Sequence, residues 1–235
     1  MRNQHGKNGG EPTLASLFQF SETPVEQSGF SFPQQLSEKY SPKTFDEFAG
    51  LEKPKAIMRK LAACPKQSAW MFLGPSGTGK TTMALALARA IPAEVHHIPS
   101  QECTLANIQR TRDTCQYVPM SGYKMHLVLI DEADRMSDAA QIALLSMLDS
   151  TNFPPNTIFV FTCNAIDRLE PRFLSRMHVL EFSSYGMAKD ATALLERVWT
   201  AETTAPAPNL ARIVKESNNN VREALMRLET ELMAV

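Results

Sequence analysis

From Tyr40 onward, short apolar runs alternate with longer stretches whose apolar residues recur every three or four positions. AWMFL (69–73), EVHHI (94–98), HLVLI (126–130), TIFVFTC (157–163) and HVLEF (178–182) read as strands, EVHHI the weakest and HLVLI a buried one. Between them LEKPKAIMRKLAAC (51–64), TTMALALARAI (81–91), TLANIQRTRDTCQYV (104–118) and DAAQIALLSMLDS (138–150) have helical spacing. Strands alternating with helices imply βαβ units, hence an α/β fold with a parallel, five-stranded sheet covered on both faces. After Phe182 the strands stop. MAKDATALLERVW, NLARIVKES and NVREALMRLETEL are helical and are separated by ETTAPAP, which predicts a small all-helical unit. The expected organisation is a flexible tail over residues 1–37, an α/β domain over 38–183 and a helical unit over 184–235. Two apolar knots interrupt the polar, glycine- and proline-bearing tail: LASLFQF and FSFPQQL. They are expected to pack on their own domain or to anchor in a partner's groove.

Composition narrows the class. The chain has 235 residues, 43% hydrophobic and 21% charged, with a formal net charge of -1. Those are the values of a soluble globular protein, and any nucleic-acid contact must come from a local basic patch. No apolar run is long enough to span a bilayer, and the N-terminus lacks the apolar core of a signal peptide. A cytoplasmic or nuclear protein, neither secreted nor membrane-bound, is expected. Cysteines 64, 103, 115 and 163 form no CxxC pair. Buried free thiols are expected, rather than disulfides or a zinc site.

The chemistry concentrates at the ends of the predicted strands. GPSGTGKTT, comprising Gly74, Pro75, Ser76, Gly77, Thr78, Gly79, Lys80, Thr81 and Thr82, fits G-x-x-x-x-G-K-[ST] between a strand and a helix. Glycines there let backbone N–H groups face phosphate oxygens, and the helix N-terminus adds partial positive charge. Lys80 is expected to reach the terminal phosphates of ATP, and the Thr81 hydroxyl to ligate Mg²⁺. HLVLIDEAD ends a buried strand in Asp131, a second expected Mg²⁺ ligand, and in Glu132, a candidate general base for an attacking water. Asp134 reads as a cap for the next helix. FVFTCN delivers Asn164 to the end of a further strand, where its amide can meet a γ-phosphate or hold water. In LEPRFLSRM, Arg172 and Arg176 stand one helical turn apart behind Pro171.

Taken with LEPRFLSR and NNNVREALMRLE, these motifs resemble an AAA+ ATPase. The likeness is to the clamp-loader branch, replication factor C small subunits and bacterial clamp-loader ATPase subunits, from about Tyr40 to Glu231. The resemblance implies that YSPKTFDEFAGLEK lies beside the adenine and that Asn164 is sensor 1. It also implies that Arg222 is sensor 2, reaching the nucleotide from a helical lid, and that Arg176 is an arginine finger completing a neighbouring subunit's site. Arg172 is expected to pair with an acid or a nearby carbonyl. Other AAA+ subunits, in a homo- or hetero-oligomer, are therefore implied partners, with primer–template DNA and a sliding clamp as further ones. Met177 replaces the cysteine of the family's Ser-Arg-Cys motif; Ser41 and Leu51 replace its common arginine and glutamine. No helical collar domain and no zinc module are expected within this sequence. Asn107, Arg110 and Thr111 share a helix face where clamp loaders track DNA phosphates. Two other readings stay open: a protein remodeller using YVPMSGYKM as an aromatic pore loop, and an ATP-bound assembly module without turnover.

Overall fold

The computed structural model describes residues 34–119 and 122–234. Most of the expected tail, including LASLFQF, lies outside the described residues. The description starts with a short helix, α1 (Leu36–Lys39), whose Leu36 is buried. The folded part therefore begins ahead of the boundary expected at residue 38.

Five strands follow as read: β1 (Ser68–Leu73), β2 (Ala93–Pro99), β3 (Met125–Asp131), β4 (Thr157–Cys163) and β5 (His178–Glu181). They form one all-parallel sheet in the order β2-β3-β4-β1-β5. The connecting helices are α2 (Glu52–Ala63), α3 (Lys80–Ala90), α4 (Leu105–Cys115), α5 (Asp138–Met147) and α6 (Pro171–Leu174).

The alternation of side chains along each strand splits the core into two layers. Along β4, Ile158 and Val160 face a cluster with Met58 and Leu61 of α2 and Met83 and Leu87 of α3. Phe159 and Phe161 face the opposite layer with Ile108 of α4, Leu144 of α5 and Phe173 of α6. Both faces of β3 and β4 are thus covered, which is why their sequences run apolar almost without interruption.

The order places the site. The chain leaves β1 toward β2 on one side and leaves β4 toward β5 on the other, yet β1 and β4 are neighbours. Connections that part in opposite directions open a crevice at the carboxyl ends of the strands, where open α/β sheets take their ligands.

The C-terminal unit comprises α7 (Ala188–Glu202), α8 (Leu210–Glu216) and α9 (Val221–Met233) around Leu195, Val198, Trp199, Val214 and Leu228. Asn209 and Asn220 cap the last two helices, their side-chain oxygens accepting from the Arg212 and Glu223 backbone N–H at 3.0 and 3.2 Å. Leu36 joins the same cluster, and its N–H donates to Glu229 Oε1 at 3.3 Å. Tyr40 hydrogen-bonds Glu202 of α7 through its hydroxyl. Among the described residues no helix is long and apolar enough to cross a membrane.

Candidate nucleotide site

The glycine-rich loop after β1 closes against Phe182, just past β5, and against the helical unit. A Cβ on Gly74 would collide with the Phe182 carbonyl, and one on Gly77, whose φ is +75°, with the Asn220 side chain. Only glycine lets the loop pass that close. Lys80 opens α3 and folds back over the loop, its Nζ donating to Gly74 O at 2.7 Å, Pro75 O at 2.8 Å and Asn164 Oδ1 at 3.0 Å. Burial, chiefly, pulls this ammonium below the usual lysine range; Asp134 and Asp131 oppose the shift, and the Arg222 guanidinium adds to it. Its three acceptors are neutral dipoles, so an anion in the cradle meets a cation without a bonded counter-charge.

On the neighbouring strand end, Thr81 Oγ1 and Thr162 Oγ1 each donate to Asp131 Oδ1 at 2.8 Å. His97 Nε2 lies 2.9 Å from Asp131 Oδ2. Thr81 and Asp131, the two expected Mg²⁺ ligands, are therefore in direct contact: a hydroxyl and a carboxylate, the hard oxygen donors that Mg²⁺ prefers. Glu132 follows with φ +55°, an unusual value for a side-chain-bearing residue. Its N–H donates to Thr162 Oγ1 at 3.1 Å, and its carboxylate pairs with Arg135 at 3.2 Å. The turn places Glu132 beside Asp131 but leaves its carboxylate half-exposed rather than buried in the strand.

A cavity of about 580 Å³ runs from the loop to the helical unit. Gly77, Thr78, Gly79 and Thr82 line one side, and Arg222 lines another. Tyr40, Ser41, Pro42, Phe48 and Leu51 complete it, which puts the segment read as adenine-facing on an apolar wall of the same cavity.

Arg176 is not in this crevice. Its Nη1 donates to Arg172 O at 2.7 Å, and its Nη2 lies 3.7 Å from Asp149 at the end of α5. Arg172 pairs with Glu170 at 2.6 Å, as expected. Asp134 does not cap α5, which is capped by Ser137. Instead its carboxylate accepts from the Asn164 N–H at 3.3 Å and ties the β3 and β4 strand ends together. Of the predicted DNA-facing group, Arg110 is exposed on α4, but the Asn107 amide is spent on the Glu102 carbonyl at 2.7 Å. Of the four cysteines, Cys64 is exposed, against the expectation of buried thiols.

Three contributors escaped the sequence reading: Thr162, His97 and Asn220. Thr162 was visible as a lone hydroxyl before the end of an apolar strand. Asn220 sits at the start of α9 and does two jobs: its Oδ1 caps the helix, and its Nδ2 donates to Ser76 O of the loop at 3.1 Å. Asn220→Ala is expected to lower Tm by about 2–4 °C, the effect of a lost cap of about 1 kcal/mol in a chain of this size. Asn220→Asp keeps the cap but not the donor to Ser76. It is expected to restore Tm while still weakening nucleotide binding, as a fluorescent ATP analogue titration would report.

Residues 70–185 match the family described as ATPase family associated with various cellular activities (AAA). Replication factor C small subunit 1 of Pyrobaculum aerophilum is 35% identical over 153 residues, 62% of this chain and 46% of that protein. Replication factor C subunit 3 of Blastobotrys adeninivorans is 35% identical over 168 residues, 68% of this chain and 48% of that one. The chain thus spans about half the length of these curated relatives. Among solved structures, the Thermotoga maritima RuvB Holliday junction branch migration motor superposes with a TM-score of 0.69 at 21% identity, covering 83% of this chain and 65% of that one. Its likeness shows the fold. Members of the AAA family are in general ATPases that bind ATP, usually with Mg²⁺. The family match, the replication factor C relatives and the geometry of the crevice agree: this chain carries, over residues 70–185, an AAA-type domain similar in sequence to those of replication factor C subunits.

Proposed function

We propose that this chain binds and hydrolyses ATP with Mg²⁺ as one subunit of a clamp-loader-like assembly acting on primer–template DNA and a sliding clamp. The observation that carries the reading is the hydrogen-bonded convergence of Lys80, Thr81, Asp131 and Asn164 at the carboxyl ends of adjacent strands. Loop N–H groups and Lys80 hold the phosphates, and the Tyr40–Leu51 wall receives the base. Thr81 and Asp131 would hold Mg²⁺, which when bound neutralises charge on the phosphate oxygens. Asn164 orients a water, and Glu132 takes its proton as the water oxygen bonds to the γ-phosphorus. The bond from that phosphorus to the bridging oxygen breaks, and ADP and phosphate leave. Arg222 contacts the nucleotide from the helical lid, and Arg176 is directed to a neighbour's γ-phosphate. Arg110 is the candidate DNA phosphate contact.

The replication factor C relatives favour this reading over the remodeller. The intact acid pair, Asp131 and Glu132, favours turnover over a silent assembly module. Steady-state hydrolysis measured against protein concentration, with and without primer–template DNA, tests it. A rate per subunit that climbs with concentration and rises again with DNA is expected. A flat rate that responds to unfolded protein but not to DNA would overturn the clamp-loader part and leave the ATPase chemistry standing.

A further inference from the structure

At the far edge of the sheet, away from the glycine-rich loop, four ligand-type side chains that no step of ATP hydrolysis uses come together. Glu94 and His96 are two residues apart on the edge strand β2 and so share a face. The parallel register sets Glu94 opposite His126 of β3. The last residue of α4, Cys115, comes down onto this same face, fully buried. The donor atoms of His96, Cys115 and His126 lie within 4.8 Å of one another, and Glu94 Oε2 is 3.5 Å from His126 Nδ1.

The hydrogen bonds aim these atoms inward. His126, only 1% exposed, has Nε2 at 2.9 Å from the Tyr117 carbonyl. A carbonyl only accepts, so Nε2 carries the proton and Nδ1 presents a lone pair to the cluster. His96 Nε2 donates to that lone pair at 2.9 Å. An imidazole whose outer N–H is fixed on a backbone carbonyl is how proteins orient a metal-binding histidine. A cavity of about 720 Å³, lined by Glu94, Arg110, Asp113, Tyr117 and His126, gives access from solvent.

We propose that Glu94, His96, Cys115 and His126 form a structural zinc site. One thiolate, two imidazoles and a carboxylate make a closed four-ligand set of the kind Zn²⁺ takes tetrahedrally. Tetrahedral ligand atoms sit roughly 3.5 Å apart at ordinary Zn–N and Zn–S lengths, so the His96, Cys115 and His126 donors, within 4.8 Å of one another, have to close by little more than about 1 Å, while the Glu94 carboxylate turns in from beside His126. On binding, the His96 proton moves from Nε2 to Nδ1, the Cys115 proton leaves to solvent, and Zn²⁺ bonds to both freed atoms, to His126 Nδ1 and to Glu94. Without metal, burial keeps the thiol protonated, pushed up to about 12. The site would staple an edge strand to α4 and β3, and that strand also carries His97 to Asp131. Cysteine spacing could not disclose it, because the set is mixed and its members are brought together by strand register and by the packing of α4.

The test uses the full chain, stripped with chelator and loaded with Zn²⁺ or Co²⁺, and is independent of the ATPase reading. One tightly held equivalent is expected, and Co²⁺ should show a thiolate charge-transfer band with the intense visible bands of tetrahedral coordination. Cys115→Ser should abolish the charge-transfer band. His96→Asn, at a half-buried position, should weaken Zn²⁺ binding at least about 10–100-fold, the loss already seen for merely outer partners of a ligand. Cys64→Ser, at the exposed cysteine, should change neither. Less than one equivalent on folded wild-type chain, weak octahedral Co²⁺ bands, or full affinity in folded His96→Asn would overturn the proposal; the last decides even if Cys115→Ser does not fold.

Discussion

Lys80→Ala is expected to abolish nucleotide binding and, with it, all turnover. The ammonium is the cradle's point charge, held by Gly74 O, Pro75 O and Asn164 Oδ1 rather than by any carboxylate. A triphosphate therefore meets it without first breaking an ion pair. Hydrogen bonds between charged groups contribute about 1.5–3 kcal/mol each. Loss of two such bonds amounts to about 3–6 kcal/mol, or roughly 10²–10⁴ in affinity at 1.4 kcal/mol per tenfold. Titration with a fluorescent ATP analogue measures that loss, and steady-state hydrolysis measures its consequence. Hydrolysis at the wild-type rate would remove Lys80 from the site and, with it, the whole assignment of the loop. Lys80→Arg is expected to fail almost as badly, because a planar guanidinium does not fit where one ammonium threads between two adjacent loop carbonyls.

What the sequence disclosed of this site was what local backbone physics dictates. Glycines at 74, 77 and 79, a lysine opening a helix, and acids ending an apolar strand are legible because spacing along the chain already determines where they point. β4 was readable to the residue, Thr157–Cys163, since a strand covered on both faces runs apolar and β-branched or aromatic through its centre, residues 158–161, with small β-formers at its ends. The contributors that escaped depend on pairing between distant segments. Thr162 matters only because β3 lies beside β4 and sets Asp131 within reach of its hydroxyl. Asn220 reads as a helix cap until the helical unit is folded against the loop and its amide meets Ser76. Glu94, His96, Cys115 and His126 are scattered over three elements, and the β2–β3 register together with the packing of α4 on the sheet assembles them. Leu36 reads as tail because a four-residue helix is too short to show a period. It is buried only through contact with helices nearly two hundred residues further along the chain.

Arg176→Ala separates a role in a neighbour's site from a role in its own. Within this chain the guanidinium is held away from Lys80 by the Arg172 carbonyl and by Asp149, the latter at 3.7 Å. Arg176 and Asp149 are 33% and 43% exposed, and an ion pair that open contributes about 0–1 kcal/mol. Swinging the side chain onto a phosphate across an interface thus costs little, whereas a guanidinium on the transferring phosphoryl group accounts for up to ~10³–10⁵ in rate. The expected result is nucleotide affinity within about twofold of wild type, because the finger touches no nucleotide bound to its own chain, together with turnover in the assembly reduced by at least about 10²-fold. Mixing supplies the sharper measurement. In a homo-oligomer, Arg176→Ala subunits keep an intact cradle and lack a finger, while Lys80→Ala subunits lack the cradle and keep the finger. Neither alone should hydrolyse ATP, but the mixture should, because each finger-bearing subunit completes the site of a neighbour that binds nucleotide. Wild-type turnover by Arg176→Ala alone would reduce the residue to a surface pair with Asp149. Loss of nucleotide affinity in that variant would instead place its effect in the chain's own crevice.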